Sequence, residues 1–183
     1  MNALKIISTT ILLSLFASAC QSKTGNVVEV MLVSNIDEAR GYCLDIAGGK
    51  GANAPLDKGL QAHTCYNYSG EILEDQGFDP GAISSGQFRI SYFDVCMSAP
   101  SFSEGAELSL AQCDQSDAQK FSLQANGQLV AQMAPNLCVT VSSSQKKEGR
   151  GGEPVHVMRP ISLELCDESK KDYQTWTLNE LSN

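Results

Sequence analysis

Apolar and polar positions alternate with a period of two in several short stretches of this chain. Phe88, Ile90 and Tyr92 alternate with Gln87, Arg89 and Ser91; Ala106, Leu108 and Leu110 behave alike, as do Leu129, Ala131 and Met133. Clusters of Gly, Ser, Asn and Asp break these runs, and that combination predicts short β-strands. The one long apolar run, Ile6 to Phe16, follows Lys5 and leads through Ala17-Ser18-Ala19 into Cys20. A positive residue, an apolar stretch and small residues in that order predict an export signal over residues 1–19, too short for a comfortable membrane span. No helical stripe is visible beyond it. The remainder is expected to be all-β.

The cysteines carry a second, longer period. Setting Cys20 aside leaves six, an even number in an exported chain, which points to disulfides. Zinc is disfavoured, because the chain has no C-x-x-C pair and only two histidines, His63 and His156. Three glutamine-aromatic triplets follow three of the cysteines: Gln76-Gly77-Phe78 after Cys65, Gln119-Lys120-Phe121 after Cys113, and Gln174-Thr175-Trp176 after Cys166. The other three cysteines open the corresponding segments as Cys43-Leu44-Asp45, Cys96-Met97-Ser98 and Cys138-Val139-Thr140. Two of those segments are preceded by Gly86-Gln87-Phe88 and Gly127-Gln128-Leu129. A fixed motif recurring about every fifty residues is a repeat. Repetition selects the bridges Cys43–Cys65, Cys96–Cys113 and Cys138–Cys166, each expected to contribute about 3 kcal/mol by closing its loop.

Length and charge narrow the classes. The 183 residues suit one domain and a leader; 42% hydrophobic content supplies a core. The net charge of −8 disfavours nucleic acid, whose phosphates need a surplus of Lys and Arg. Gly48-Gly49-Lys50-Gly51 lacks the spacing of a phosphate loop. No G-x-S-x-G elbow is present, and Glu71, Glu74 and Asp75 read as a solvated acidic stretch rather than a glycosidase pair. No enzyme, metal or cofactor is expected.

The three repeats, with a C-L-D-like start, a paired cysteine and Q-x-W, resemble the ricin B-type lectin β-trefoil over residues 27–183. That resemblance implies about twelve short strands in three pseudo-symmetric units, near 27–82, 83–127 and 128–183. It also makes Phe78, Phe121 and Trp176 core residues. Strand parity independently orients the other side chains. Leu60 and Ala62, then Leu108 and Leu110, then Ile161 and Leu163 should face the core, so the residues between and after them should face outward. Those are Gln61 and His63, Ser109 and Ala111, Ser162 and Glu164. Leu44 and Ile46 likewise turn Cys43 and Asp45 outward.

The first bridge would therefore gather Asp45, Gln61 and His63 on one outer surface. The family implies an Asp that grips sugar hydroxyls, a polar strand residue, a stacking aromatic, and an Asn before the Q-x-W glutamine. The matching positions are Asp45, Gln61, His63 and Asp75, followed by Gln76. His63 replaces a larger ring, for which Tyr66 or Tyr68 could compensate, and Asp75 replaces Asn. The second repeat offers Ser98 and Ala111, the third Thr140 and Glu164, so both are expected to be scaffold. The insert from Ser142 to Pro160, with its Gly and basic residues, is expected to be a mobile loop. Two functions follow: binding of an exposed, galactose-like glycan, or a trefoil without sugar binding that serves as a protein-interaction or toxin-accessory subunit.

The leader resembles the lipobox of bacterial lipoproteins, with Ala17 where that motif usually has Leu. The resemblance implies acylation of Cys20, a membrane anchor, a short tether over residues 20–26 and, since Gln21 is not Asp, the outer membrane of a bacterial cell envelope. Ordinary signal cleavage is the alternative.

Overall fold

Each repeat closes on itself through the same backbone hydrogen bond. The amides of the triplet aromatics Phe78, Phe121 and Trp176 donate to the carbonyls of Val28, Gly86 and Gly127, at 2.9, 2.9 and 2.7 Å. Gly86 and Gly127 have positive φ, and a Cβ at either would lie 3.2 Å from the carbonyl oxygen of Phe121 or Trp176. That close approach explains why both Gly-Gln-apolar triplets begin with glycine.

The computed structural model describes residues 26–181; the leader with Cys20 lies outside them. Thirteen strands occur among the described residues. The first repeat contains β1 (Glu29–Leu32), β2 (Tyr42–Ile46) and β3 (Leu60–Thr64). The second contains β4 (Arg89–Ile90), β5 (Val95–Ser98), β6 (Ala106–Glu107), β7 (Ser109–Gln112) and β8 (Phe121–Leu123). The third contains β9 (Leu129–Ala131), β10 (Ala134–Val141), β11 (Lys147–Glu148), β12 (Val157–Leu165) and β13 (Trp176–Asn179). A ten-stranded antiparallel sheet follows the order β13-β1-β2-β3-β12-β10-β9-β8, with β6 and β11 also on β12; β4-β5-β7 form a second sheet. Single helical turns at Pro80–Ser84 and Lys171–Gln174 are local departures from an all-β chain. The first starts at a proline, and Asp79 caps it by accepting from two amides.

The triplet aromatics are core residues. Phe78, Phe121 and Trp176 are buried, Phe88 stands edge-on between Phe78 and Phe121, and the Trp176 indole donates to Val139 O at 2.8 Å. Disulfides join Cys43–Cys65, Cys96–Cys113 and Cys138–Cys166. Two predicted strands stop early. The chain turns at Asp94, whose φ is +55°, leaving Tyr92 exposed, and β9 ends before the exposed Met133.

The largest departure is the insert. Instead of a free loop it is a flap folded across the first repeat, because β12 runs past its own repeat to pair with β3: Met158 lies opposite His63, Arg159 opposite Ala62 and Pro160 opposite Gln61. Arg40 donates to the carbonyls of Pro154 and Val155, both at 2.8 Å, and the Val157 amide donates to Thr64 Oγ1 at 2.9 Å. Buried Arg159 reaches Asp37 at 3.0 Å and the Ser142 carbonyl at 2.9 Å. Asp37 also takes Lys146 at 2.8 Å, which holds its carboxyl down at about 2.

Candidate functional site

The glutamine of each triplet does the same work in every repeat. Gln76 Nε2 donates to the carbonyl before the second cysteine, Thr64 O, and its Oε1 accepts the amide after that cysteine, Tyr66 N. Gln119 makes the corresponding bonds to Gln112 O and Asp114 N, and Gln174 to Leu165 O and Asp167 N. A carboxamide both donates and accepts, so it can clamp such a corner from both sides without a charge. Gln76, assigned above to sugar, is thus committed to the backbone.

In the first and third repeats the clamp also grips the residue two beyond the opening cysteine. In the first repeat Gln76 Nε2 donates to Asp45 Oδ2 at 3.0 Å, while Gln61 Nε2, opposite on β3, donates to Asp45 Oδ1 at 2.9 Å. Parity correctly turns Asp45 away from the apolar core, but its expected exposure is wrong: the residue is 0% exposed. The loop Gly48–Gly51 lies over it, and Asp75 Oδ2 anchors that loop by accepting the Lys50 and Gly51 amides at 3.1 and 2.8 Å. A Cβ on Gly49 would sit 3.4 Å from Asp75 Oδ2 and 3.7 Å from Asp45 Oδ1, so glycine lets the loop close. Burial, then the neighbouring Asp75, pushes the Asp45 carboxyl well above its ordinary value. The remaining oxygen, Asp75 Oδ1, is buried without a partner.

His63 is also buried. Its Nδ1 lies 2.8 Å from Thr64 O, which assigns the proton to Nδ1 and leaves Nε2 as an acceptor in the neutral ring. Burial depresses its pKa and favours that neutral form. Its ring centroid stands 5.2 Å from Tyr66 and 5.1 Å from His156, with Tyr66 and His156 5.4 Å apart. Tyr68 Oη meets His156 Nε2 at 2.9 Å. The His63, Tyr66 and His156 rings open onto a cavity of about 520 Å³ bounded by Gln61, Lys50, Met158 and the flap residues Lys147 and Arg150.

The five sequence-predicted residues therefore cluster but split in two. Gln61 and His63 line the cavity, whereas Asp45, Asp75 and Gln76 form a buried hydrogen-bonded layer behind it. Sequence reasoning missed His156 as a member of this site. The alternation of Val157, Ile161 and Leu163, interrupted by Arg159, could have shown that β12 begins early enough to carry the flap beside β3.

The third repeat also differs from expectation. Thr140, Ser162, Glu164 and Tyr173 line an open cavity of about 570 Å³, so a carboxylate and a ring share one cavity there. The ring was missed because Tyr173 comes from the helical turn before Gln174 rather than from the strand. The Ser162 hydroxyl donates to Glu164 Oε1 at 2.5 Å. Among the described residues, the one close group of potential metal ligands is Glu29 with Cys43 and Cys65, and those cysteines are joined as cystine. No helix among the described residues is long and apolar enough to cross a membrane.

Comparison with known proteins places this geometry in a family. Similar solved structures include an agglutinin from Abrus precatorius, at 16% identity and TM-score 0.58, covering 89% of this chain and 51% of that one. The chain thus spans about half of the agglutinin chain. The designed three-fold symmetric protein ThreeFoil matches at 18% identity and TM-score 0.56, covering 84% and 98%. The C-half of an earthworm R-type lectin, in complex with GalNAc, matches at 13% and 0.51, covering 85% and 99%. At these identities the likeness is one of fold. No curated protein matches the chain in sequence. The ricin-type beta-trefoil lectin domain matches residues 31–157, well over half of the sequence, and the chain belongs to that family.

Proposed function

We propose that this protein binds carbohydrate, holding an exposed sugar in the first-repeat cavity as a lipid-anchored lectin of a bacterial outer membrane. The observation that carries this reading is the clustering of His63, Tyr66 and His156 around a cavity edged by Gln61. Rings offer the apolar face of a pyranose a surface, and Gln61 with His63 Nε2 offers hydroxyls hydrogen-bond partners. Asp45 acts behind the wall, orienting Gln61 rather than touching the ligand. Membership of a lectin family supports the reading, as does a structural neighbour that holds GalNAc. A galactose-like sugar is the first candidate. No bond is made or broken, so the proposed role is binding alone. One shallow site binds weakly, and many copies on a membrane raise avidity.

Tyr66→Ala is the sharpest test, because the Tyr66 side chain makes no hydrogen bond among the described residues and its loss strands no partner. On a glycan array the wild type should give a signal that Tyr66→Ala loses; an unchanged signal moves the site elsewhere. The anchor is tested by Cys20→Ser, which should release the protein from membranes. A second reading, a trefoil that recognises a protein, is favoured by the occupied state of both Asp45 oxygens. A wild type that holds no glycan, yet binds a protein insensitive to free sugar, would establish it.

A further inference from the structure

The charge around the first-repeat cavity runs against the composition of the chain. Acids outnumber Lys and Arg by 21 to 13, yet the charged residues lining this cavity are Lys50, Lys147 and Arg150, and no carboxylate is among them. The three cations come from two separate segments, Lys50 from the loop over Asp45 and the other two from the flap. None is in an ion pair among the described residues. By contrast, Arg40 is paired with Glu38, and Lys146 and Arg159 with Asp37. All three free cations are solvent-exposed.

Behind the wall the negative charge is withdrawn. Asp45 is enclosed between two glutamine amides, and Asp75 Oδ2 faces the Lys50 and Gly51 amides. A neutral sugar bound through hydroxyl donors wants an accessible carboxylate, and this cavity presents none. It presents cationic donors above a floor of rings instead.

From this arrangement, and resting on the sugar-binding reading above, we infer that the preferred ligand is an acidic glycan: a pyranose bearing a carboxylate or sulfate that meets Lys147 and Arg150 while its ring lies against Tyr66 and His63. The flap of the third repeat then supplies the specificity of a site whose floor belongs to the first. Hydrogen bonds between charged partners are roughly twice as strong as neutral ones, so the anionic group decides between otherwise matched sugars.

The test is a comparison on one surface of neutral galactosides, their sialylated and their sulfated counterparts, and uronic-acid oligosaccharides. Wild type, the double variant Lys147→Ala/Arg150→Ala and Tyr66→Ala are each applied. The charged glycans should bind about tenfold more tightly than their neutral counterparts, a difference that the double variant abolishes and that rising salt reduces. The sialylated and sulfated arms show which anion is preferred, and either result upholds the inference. Tyr66→Ala should lose both classes. Equal binding of neutral and charged glycans, with the double variant unaffected, overturns the acidic preference and leaves the sugar reading standing. Charged glycans held equally by Tyr66→Ala would mean simple ion exchange and overturn the inference. No retention of any glycan by the wild type overturns both.

Discussion

The first and third repeats build the same corner from the same parts and arrive at opposite electrostatics. In both, a cystine holds two strands together and a glutamine clamps the turn after the second cysteine. In the third repeat that glutamine also grips a hydroxyl, Thr140 Oγ1 at 2.9 Å, beside an open cavity. In the first it grips a carboxylate that a loop and its own partners seal from water. A hydroxyl tolerates burial with one or two hydrogen bonds, whereas a carboxylate must either be fully partnered or take up a proton. The trefoil corner is therefore a neutral scaffold feature, and the first repeat has loaded it with an acid.

Removing the clamp should expose this difference most strongly. Gln76→Leu leaves Asp45 Oδ2 without its partner in a buried layer and takes one of two hydrogen bonds from Thr64 O and Tyr66 N, which keep His63 and Glu29, and a loss of about 3 kcal/mol is expected in urea unfolding. Gln174→Leu takes one hydrogen bond from the Thr140 hydroxyl, which keeps Cys138 O, and one each from Leu165 O and the amide of the exposed Asp167, and should cost about 2 kcal/mol. Equal losses would mean that Asp45 adds nothing to the corner.

The pH profile is the next largest effect. Burial raises the Asp45 carboxyl, so the folded state binds its proton more tightly than the unfolded chain does. Stability should fall as pH rises from the ordinary carboxylate range through the raised value. Glu29, fully buried and also raised by burial, contributes a slope of the same sign. Asp45→Asn should flatten the profile by the Asp45 share, since Asn can still accept from Gln76 while half-buried Gln61 turns its amide to accept from the new NH₂. Thr140→Val at the equivalent position should leave the slope unchanged. Thermal unfolding across the acidic to neutral range measures both.

The smallest effect concerns the flap, which the first repeat holds and the third supplies. Made on a Glu38→Gln background, so that no buried carboxylate is stranded, Arg40→Ala removes two hydrogen bonds to exposed carbonyls, and about 1 kcal/mol of local closure should be lost relative to that background. Trypsin should then cut faster at Lys147 and Arg150 while urea unfolding barely moves. An unchanged cleavage rate would show that β12 alone holds the flap.

Much of this was legible in the chain because it is periodic. Cys43, Cys96 and Cys138, each followed at a distance by a second cysteine and a glutamine-aromatic triplet, announce three repeats, and parity places Leu60, Ala62, Ile161 and Leu163 inside. The clustering of Asp45, Gln61 and His63 follows from the β2–β3 register. The errors come from segments that the repeat does not predict. Gly48–Gly51 carries no pattern that says what it packs on, and Asp75, distant in sequence, folds it over Asp45. The flap reads as a solvated loop because its glycines and charges carry no periodicity. Tyr173 and His156 reach their cavities from outside the strands used for the parity argument.

Strand period, cysteine spacing and repeated triplets are local properties of a sequence, and they determined the trefoil, its bridges and its core, because each repeat must bury the same apolar face. Solvent exposure at the polar corner is not local. Whether Asp45 meets water or a glutamine, and whether Lys147 and Arg150 stand over the first repeat or away from it, depends on which distant segment packs there, and only the tertiary structure decided it.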